Sequence, residues 1–163
     1  MEGDNEFQQG DAGSGLTFPK AGGSIRKGDY IMLKHEFPCS VTEISVSKTG
    51  KHGHAKARCT GVDIFTGKKY VDVFPTSHNV DVPFVKKLDY EVVDVEIEDN
   101  GTGSVSYMDE EGEVHEIIVE DNVDLLNEIN ECNEKADKED KSVSISVIMA
   151  MGKEQITAWR ETK

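Results

Sequence analysis

The stretch from Val41 to Thr60 reads VTEISVSKTGKHGHAKARCT, and it predicts the β-hairpin that decides the fold of its part of the chain. In the first arm apolar and polar residues alternate, with one break near Glu43. In the second arm small apolar residues alternate with polar or basic ones, so one face of the strand is expected to be buried. Seven residues, from Lys48 to His54, form the predicted loop. The alternating apolar residues are Val41, Ile44 and Val46 in the first arm and Ala55, Ala57 and Cys59 in the second.

Two glycines lie within the predicted loop, and Gly50 and Gly53 flank Lys51 and His52. Glycine adopts positive φ at little cost, so the backbone can turn sharply on both sides of the lysine. The expected result is a lysine side chain held at the tip of a hairpin, where an enzyme or a deep partner site can reach it.

The charge of the chain is unevenly distributed. The 163 residues include 32 acidic and 18 Lys or Arg side chains, which give a formal net charge of −14. An evenly spread charge of this size would exclude a general nucleic-acid binder. However, residues 1–16 carry −4, residues 17–83 carry +4 and residues 84–163 carry −14, and no acid occurs from Ile44 to Val62. The middle part is therefore a cationic module, which is typical of a surface that faces nucleic acid.

The remaining composition bounds the class of protein. Hydrophobic residues make up 36% of the chain, which allows small cores. No apolar run of about 18 residues predicts a membrane span, and the polar N-terminus, MEGDNEFQQGD, does not read as a secretory signal. Cys39, Cys59 and Cys132 are far apart and form no C-x-x-C motif, which argues against a disulfide framework or a thiolate zinc site. We expect buried, free thiols in a reducing cytosol.

The sequence predicts an all-β chain with two small barrels. Residues 1–16 are rich in Gly, Asp, Gln and Ser and predict a disordered tail. Short strands over residues 17–83 predict a first barrel. Residues 84–163 predict the order strand-strand-strand-helix-strand-strand of an OB-type barrel, with the boundary between the barrels near Val82 to Lys86. The helix is predicted from Val123, Leu125, Leu126, Ile129 and Cys132, with Asp121 or Asn122 as its N-cap.

The loop admits several chemical interpretations. A phosphate-binding loop is disfavoured, because His52 replaces the Ser or Thr that should follow the lysine, Ser45 stands where the first glycine should be, and no helix follows. A metal site at His52 and His54 has no nearby carboxylate, and His78 and His115 are distant in sequence. A catalytic lysine would have neighbouring cations but little burial. A solvated basic hairpin without function is the simplest alternative.

Three motifs resemble the eukaryotic translation factor 5A family. Ser47 to Lys56, SKTGKHGHAK, resembles the hypusine loop of that family. Asp63 to Tyr70, DIFTGKKY, and Pro75 to Pro83, PTSHNVDVP, are similar to the same family, as is the acidic start around Gly10 to Gly13. The resemblance is strong and specific over about residues 10–87.

Over residues 88–163 the resemblance rests on strand order, the helix and Val147 to Met151, VIMAM. It implies an SH3-like barrel over residues 17–83 that carries the hypusine loop and an OB-fold domain over residues 84–163. Bacterial elongation factor P is similar in plan but has a third domain, whereas 163 residues leave room for two.

The resemblance also implies a mechanism without catalysis by the chain, a metal or a separate cofactor. In the family, deoxyhypusine synthase transfers the aminobutyl group of spermidine to one lysine, and deoxyhypusine hydroxylase then hydroxylates it; by position this lysine is Lys51. The family binds the ribosome, on the large subunit near the exit site. The modified lysine reaches the peptidyl-tRNA, where it promotes peptide-bond formation at proline runs and helps termination.

The loop residues fit binding to RNA, because their cations can pair with phosphates and their histidines can stack on unpaired bases. The expected location is the cytoplasm, with the nucleus as a second one, and the acidic second barrel is expected to face tRNA loosely or a protein. The competing hypothesis is an RNA-binding or transport adaptor without a role in peptide synthesis, and an enzyme ranks third. The predicted RNA- and tRNA-binding residues are Lys48, Thr49, Gly50, Lys51, His52, Gly53, His54, Lys56 and Arg58.

Overall fold

The computed structural model of the chain describes residues 15–48, 50 and 53–162. It divides into two compact units, the first comprising the chain up to Val85 with Ala150–Gly152, and the second comprising Lys86–Met149 and the residues from Lys153 onwards. The predicted domain limits at residues 16 and 83 stay predictions, and residues 1–14 of the predicted disordered tail lie outside the described residues. Within the described ranges, no helix combines the length and the apolar character that a membrane crossing needs.

Antiparallel strands build the first unit. Four of them form a sheet in the order β2-β3-β4-β5, and β1 pairs with β6 in a separate ribbon. A single turn of 3-10 helix, Gly22–Ser24, follows β1. The strands are β1 (Thr17–Ala21), β2 (Tyr30–Leu33), β3 (Phe37–Lys48), β4 (Ala55–Asp63), β5 (Lys69–Pro75) and β6 (Asn79–Pro83).

The core of the first unit lies under the end of the β3–β4 hairpin that is farthest from the loop. The register of this hairpin shifts between Val41 and Glu43, which is a β-bulge and explains the break in alternation that the sequence shows there. Gly61 pairs with Val41 beside this bulge. A Cβ on Gly61 would lie 3.0 Å from the Cβ of Cys39 and from a methyl carbon of Leu33. The fully buried residues of this core include Ile25, Ile31, Leu33, Cys39, Val41 and Cys59.

The second unit has five strands and one helix within the described residues. Its sheet has the order β9-β8-β7-β10-β11, and the helix connects β9 to β10, which confirms the predicted OB-type order and the all-β fold class of two barrels, SH3-like and OB-type. The elements are β7 (Lys86–Ile97), β8 (Gly103–Met108), β9 (Val114–Val119), α1 (Val123–Lys138), β10 (Ser142–Ala150) and β11 (Lys153–Thr162).

The helix begins where the sequence predicts it. The Asn122 side chain accepts a hydrogen bond from the Leu125 backbone amide at 3.2 Å, so Asn122 is the N-cap of the two predicted candidates. Leu126 and Ile129 lie on the same helix face and are completely buried against the sheet core. The apolar helix face predicted from the sequence therefore packs against the sheet and covers one side of the core.

Candidate functional site

The β3–β4 hairpin carries the predicted site. Its strands pair from Glu43 opposite Thr60 to Lys48 opposite Ala55. The loop consequently consists of residues 49–54. Lys48 lies in the predicted loop but is the last residue of β3, because the strand ladder continues one residue further than the sequence pattern indicates.

Part of the loop is described and part is not. Thr49, Lys51 and His52, which are all predicted site residues, lie outside the described residues. Gly50 has φ +69°, and a Cβ on it would meet no atom within 4 Å. The backbone conformation, not a lack of space, therefore favours glycine at this position.

The described cations of the hairpin stand on two faces. Lys56 and Arg58 are two residues apart on β4, so their side chains share one face. Lys48 pairs with Ala55 and consequently points to the opposite face. The structure thus brings Lys56 and Arg58 together and separates Lys48 from them, although the sequence treats the three as one set.

These basic side chains are exposed, and no charged partner for them occurs among the described residues. Lys48, His54, Lys56 and Arg58 are all exposed, and none of them forms an ion pair with any other residue that the structure describes. Elsewhere lysines do pair, as Lys20 does with Asp29 at 3.5 Å. The positive charge around the loop base is therefore free to attract phosphate groups.

A turn outside the hairpin anchors the base of the loop. The carbonyl oxygen of Ala55 accepts hydrogen bonds from the backbone amide of Thr76 at 3.1 Å and from its hydroxyl at 3.3 Å. The carbonyl of Thr76 in turn accepts from the amide of Gly23 at 3.0 Å. This role of Thr76 is not evident from the sequence. The turn after Pro75 is visible in the sequence, but its contact with a residue 21 positions away is not.

The polar and apolar faces of β4 follow the predicted alternation. Ala57 and Cys59 are fully buried, whereas Lys56 and Arg58 are exposed. Burial, and then the nearby Asp72 carboxylate, raises the pKa of the Cys59 thiol to about 11. This thiol is consequently protonated at neutral pH, and its full burial keeps it away from solvent.

The other two thiols differ from each other. Burial, with a smaller effect of Asp63, raises the pKa of Cys39 to about 12. Cys39 is fully buried, as predicted, whereas Cys132 is only half-buried and its sulfur lies 3.8 Å from an Oε atom of Glu161. All three cysteines are free, in agreement with the sequence analysis.

A single group of three possible metal ligands occurs in the described part of the chain, in the second unit. The ligand atoms of Asp109, Glu113 and His115 lie within 4.8 Å of one another. Nε2 of His115 lies 2.7 Å from Oδ2 of Asp109, and this hydrogen bond raises the pKa of His115 and lowers that of Asp109. His54 does not belong to the group, and His52 lies outside the described residues.

Family profiles match both units. The profile described as translation initiation factor 5A-like, N-terminal, matches residues 15–78. The profile described as eukaryotic elongation factor 5A hypusine, DNA-binding OB fold, matches residues 84–160.

Individual relatives match over nearly the whole chain. Eukaryotic translation initiation factor 5A-1 of Arabidopsis thaliana is 42% identical, over 97% of this chain and 95% of its own. The Dictyostelium discoideum factor 5A is 41% identical, over 94% and 90%. Among solved structures, a factor 5A family protein from Naegleria fowleri matches with a TM-score of 0.73 and 41% identity, over 89% of this chain and 99% of its own. The Methanococcus jannaschii factor gives a TM-score of 0.63 at 31% identity, over 88% and 95%.

Proposed function

Because the chain belongs to the eukaryotic translation initiation factor 5A family, we propose that it acts beside the peptidyl-tRNA through a hypusine formed on Lys51. The chain is a translation factor, and the family as a whole works with the ribosome. The finer steps are the proposal: the modification, the position near the exit site of the large subunit, and the promotion of peptide bonds at proline runs and of termination.

One observation carries the proposal: a hairpin held by strand pairing leads into a short loop, and the exposed cations at the base of this loop form no ion pair with any residue that the structure describes. The strand ladder holds the chain up to Lys48 and Ala55, and Thr76 fixes the second arm with two hydrogen bonds. Only residues 49–54 remain between the paired strands, and Lys51 lies among them in the sequence. Because the ends of this short loop are held by paired strands, less entropy is lost when the loop is presented to a partner.

The chemistry follows from adding a second amine to a lysine. The aminobutyl group of spermidine lengthens the Lys51 side chain and adds a positive charge, and hydroxylation adds a hydrogen-bonding group. The lengthened cation would contact phosphates and the acceptor end of the peptidyl-tRNA, while Lys56 and Arg58 supply a sequence-independent attraction to the RNA backbone. The contribution of the factor is then to position the tRNA, and the protein itself transfers no proton.

The proposal names its partners and its location. Deoxyhypusine synthase and deoxyhypusine hydroxylase would modify Lys51, and the large ribosomal subunit and peptidyl-tRNA would bind the modified loop. No resident cofactor is needed beyond the modification, and the chain would act in the cytoplasm, where translation occurs. The family profile whose description names hypusine matches residues 84–160 and supports membership of the family, while the position of the modification rests on the resemblance of residues 47–56 to the hypusine loop.

A Lys51→Arg substitution tests the proposal, because arginine keeps the charge but does not accept the aminobutyl group. In cells that depend on this protein, the variant should lose translation of proline-run messages while translating other messages far better. Lys27→Arg is the matched control, since Lys27 is an exposed lysine of the same unit with no ion pair among the described residues. Full translation of proline runs by Lys51→Arg would contradict the mechanism and leave the RNA-binding or transport adaptor as the remaining candidate.

A further inference from the structure

The outer face of β7, β8 and β9 is acidic. Glu91, Asp94 and Glu96 of β7 are exposed, and β9 adds Glu116, which lies in the same cross-strand row as Asp94. We call this surface, with its intervening β8 residues, the acidic face. None of these four acids forms an ion pair within the described part of the chain. Neither β8 nor β9 places a lysine or arginine on this face, and Lys87, near the start of β7, lies on the same side of its strand as Glu91.

Apolar side chains are interleaved with the acids. Val114 and Ile118 of β9 are 59% and 55% exposed, and Met108 of β8 is 37% exposed. Tyr107 of β8 and Ile117 of β9, which are next to Met108 and Ile118 along their strands, are buried in the core. The acidic face is therefore a well-supported sheet surface that offers both charge and apolar contact to a partner.

A small cavity of about 150 Å³ lies at one end of the acidic face. Glu96, Glu98 and Glu116 line it together with Ser104 and Ile118. Ser104 is only 7% exposed, and its hydroxyl makes no hydrogen bond to any residue that the structure describes. Buried hydroxyls are usually hydrogen-bonded. This serine therefore marks the place where a polar group of a partner would sit.

The shape and charge of the cavity select the class of ligand. Three glutamates repel phosphate and therefore RNA. Metal coordination is disfavoured as well, because the three carboxylates do not come within 4.8 Å of one another as a set, unlike the group around His115. A guanidinium group carries several donors spread over a plane, so it can reach separate carboxylates and the Ser104 hydroxyl at the same time.

We propose that the acidic face binds an extended, arginine-rich segment of another protein, with one arginine in the cavity beside Ser104. The outer face of strands two and three is the surface with which many OB folds bind oligonucleotides, and here the acids reverse its preference from phosphate to cation. The exposed Val114 and Ile118 would contact apolar residues that alternate with the arginines of the segment. This interaction goes beyond the proposed function and does not depend on Lys51.

Fluorescence anisotropy with a labelled synthetic peptide tests the proposal on the full chain. The probe is Arg-Ser-Ile-Ser-Arg-Ser-Ile-Ser-Arg, which places arginine and isoleucine on one face when it is extended. The wild type should bind it, and a peptide with citrulline in place of each arginine should bind at least about tenfold more weakly. A labelled oligouridine serves as the RNA probe, and spermidine serves as a free-cation competitor.

Two variants locate the binding to the acidic face. Glu96→Gln with Glu116→Gln should weaken the peptide about tenfold or more, whereas Glu131→Gln with Glu134→Gln, an equal charge change on exposed positions of α1, should have little effect. Ser104→Ala should weaken it about threefold, in line with one lost hydrogen bond. Equal affinities of the two double variants would overturn the proposal. The proposal would also be overturned if Glu96→Gln with Glu116→Gln abolished binding to oligouridine. A third contradicting result would be displacement of the peptide by spermidine at an equal concentration.

Discussion

The backbone amide and the hydroxyl of Thr76 both donate to the carbonyl oxygen of Ala55, at 3.1 and 3.3 Å. Ala55 is the first residue of β4 and therefore the point at which the loop ends. These two hydrogen bonds join the turn between β5 and β6 to the base of the loop. The base of the loop is therefore held by this turn as well as by the strand pairing of the hairpin.

Thr76→Val should destabilise the first unit by about 1 kcal/mol, because valine keeps the backbone donor and the shape of threonine but loses the hydroxyl donor. Thr76→Ser is the control, since it retains the hydroxyl. Urea unfolding followed by NMR signals of first-unit residues measures the difference. Equal stability of the two variants would mean that the 3.3 Å contact adds nothing.

Gly50→Ala should cost about 1 kcal/mol, because alanine at φ +69° is strained although no atom crowds it. Gly50→Asn should cost less, since asparagine tolerates this region better than alanine does. Gly61→Ala provides a contrast, because a Cβ there would lie 3.0 Å from three atoms, including the Ser40 carbonyl oxygen. We expect Gly61→Ala to cost more than Gly50→Ala by urea unfolding, and equal costs of Gly50→Ala and Gly50→Asn would contradict the backbone explanation.

Lys56→Gln with Arg58→Gln should weaken binding to RNA and flatten its salt dependence. On single strands each lost phosphate contact lowers the slope of log affinity against log salt by about 0.7. Lys27→Gln with Lys68→Gln is the matched control, because it changes the charge equally at exposed positions off the hairpin that form no ion pair among the described residues. Affinity for tRNA measured over a salt series should separate the two double variants. Equal slopes of log affinity against log salt for both would argue against a role for the face of β4 that carries Lys56 and Arg58.

His115 should titrate above its ordinary pKa of 6.5, because its ring is hydrogen-bonded to the Asp109 carboxylate at 2.7 Å. The same contact lowers the pKa of Asp109. The ion pair therefore stabilises the fold between those two values. Its contribution is lost as the pH rises through the raised pKa of His115 and as the pH falls through the lowered pKa of Asp109.

Asp109→Asn tests this pair cleanly. Oδ1 of Asp109 accepts from the amides of Glu111 and Glu113, both at 2.9 Å, and an asparagine oxygen can keep these turn contacts. NMR titration should show the pKa of His115 falling toward 6.5 in the variant. An unchanged value would show that the contact does not persist in solution.

The sequence predicts the strands best where burial alternates cleanly. The break near Glu43 corresponds to a bulge, and the apolar spacing after Asn122 corresponds to the helix, because both patterns follow from local geometry. The turn between β2 and β3 escapes prediction. Lys34 and His35 both have positive φ there without any glycine, and the Asp72 side chain accepts from the amide of Lys34 at 2.8 Å.

The candidate site is predictable in composition but not in arrangement. The cations are predicted from the run of sequence that contains no acid. Only the strand register shows that Lys48 lies on the opposite face from Lys56 and Arg58. The support from Thr76 depends on a contact between distant residues, which a single sequence does not reveal. The buried hydroxyl of Ser104 is equally invisible, because serine on an alternating strand looks like any solvent-facing residue until the neighbouring strands are in place.

Mass spectrometry of the peptide that contains Lys51, taken from protein purified from its native cell, tests the central claim most directly. Protein made in bacteria is the reference, since it should carry an unmodified lysine. If Lys51 carries hypusine, the native peptide is heavier than the reference by the mass of the added hydroxylated aminobutyl group, and fragmentation assigns the gain to Lys51. A native peptide with the reference mass would contradict the claim.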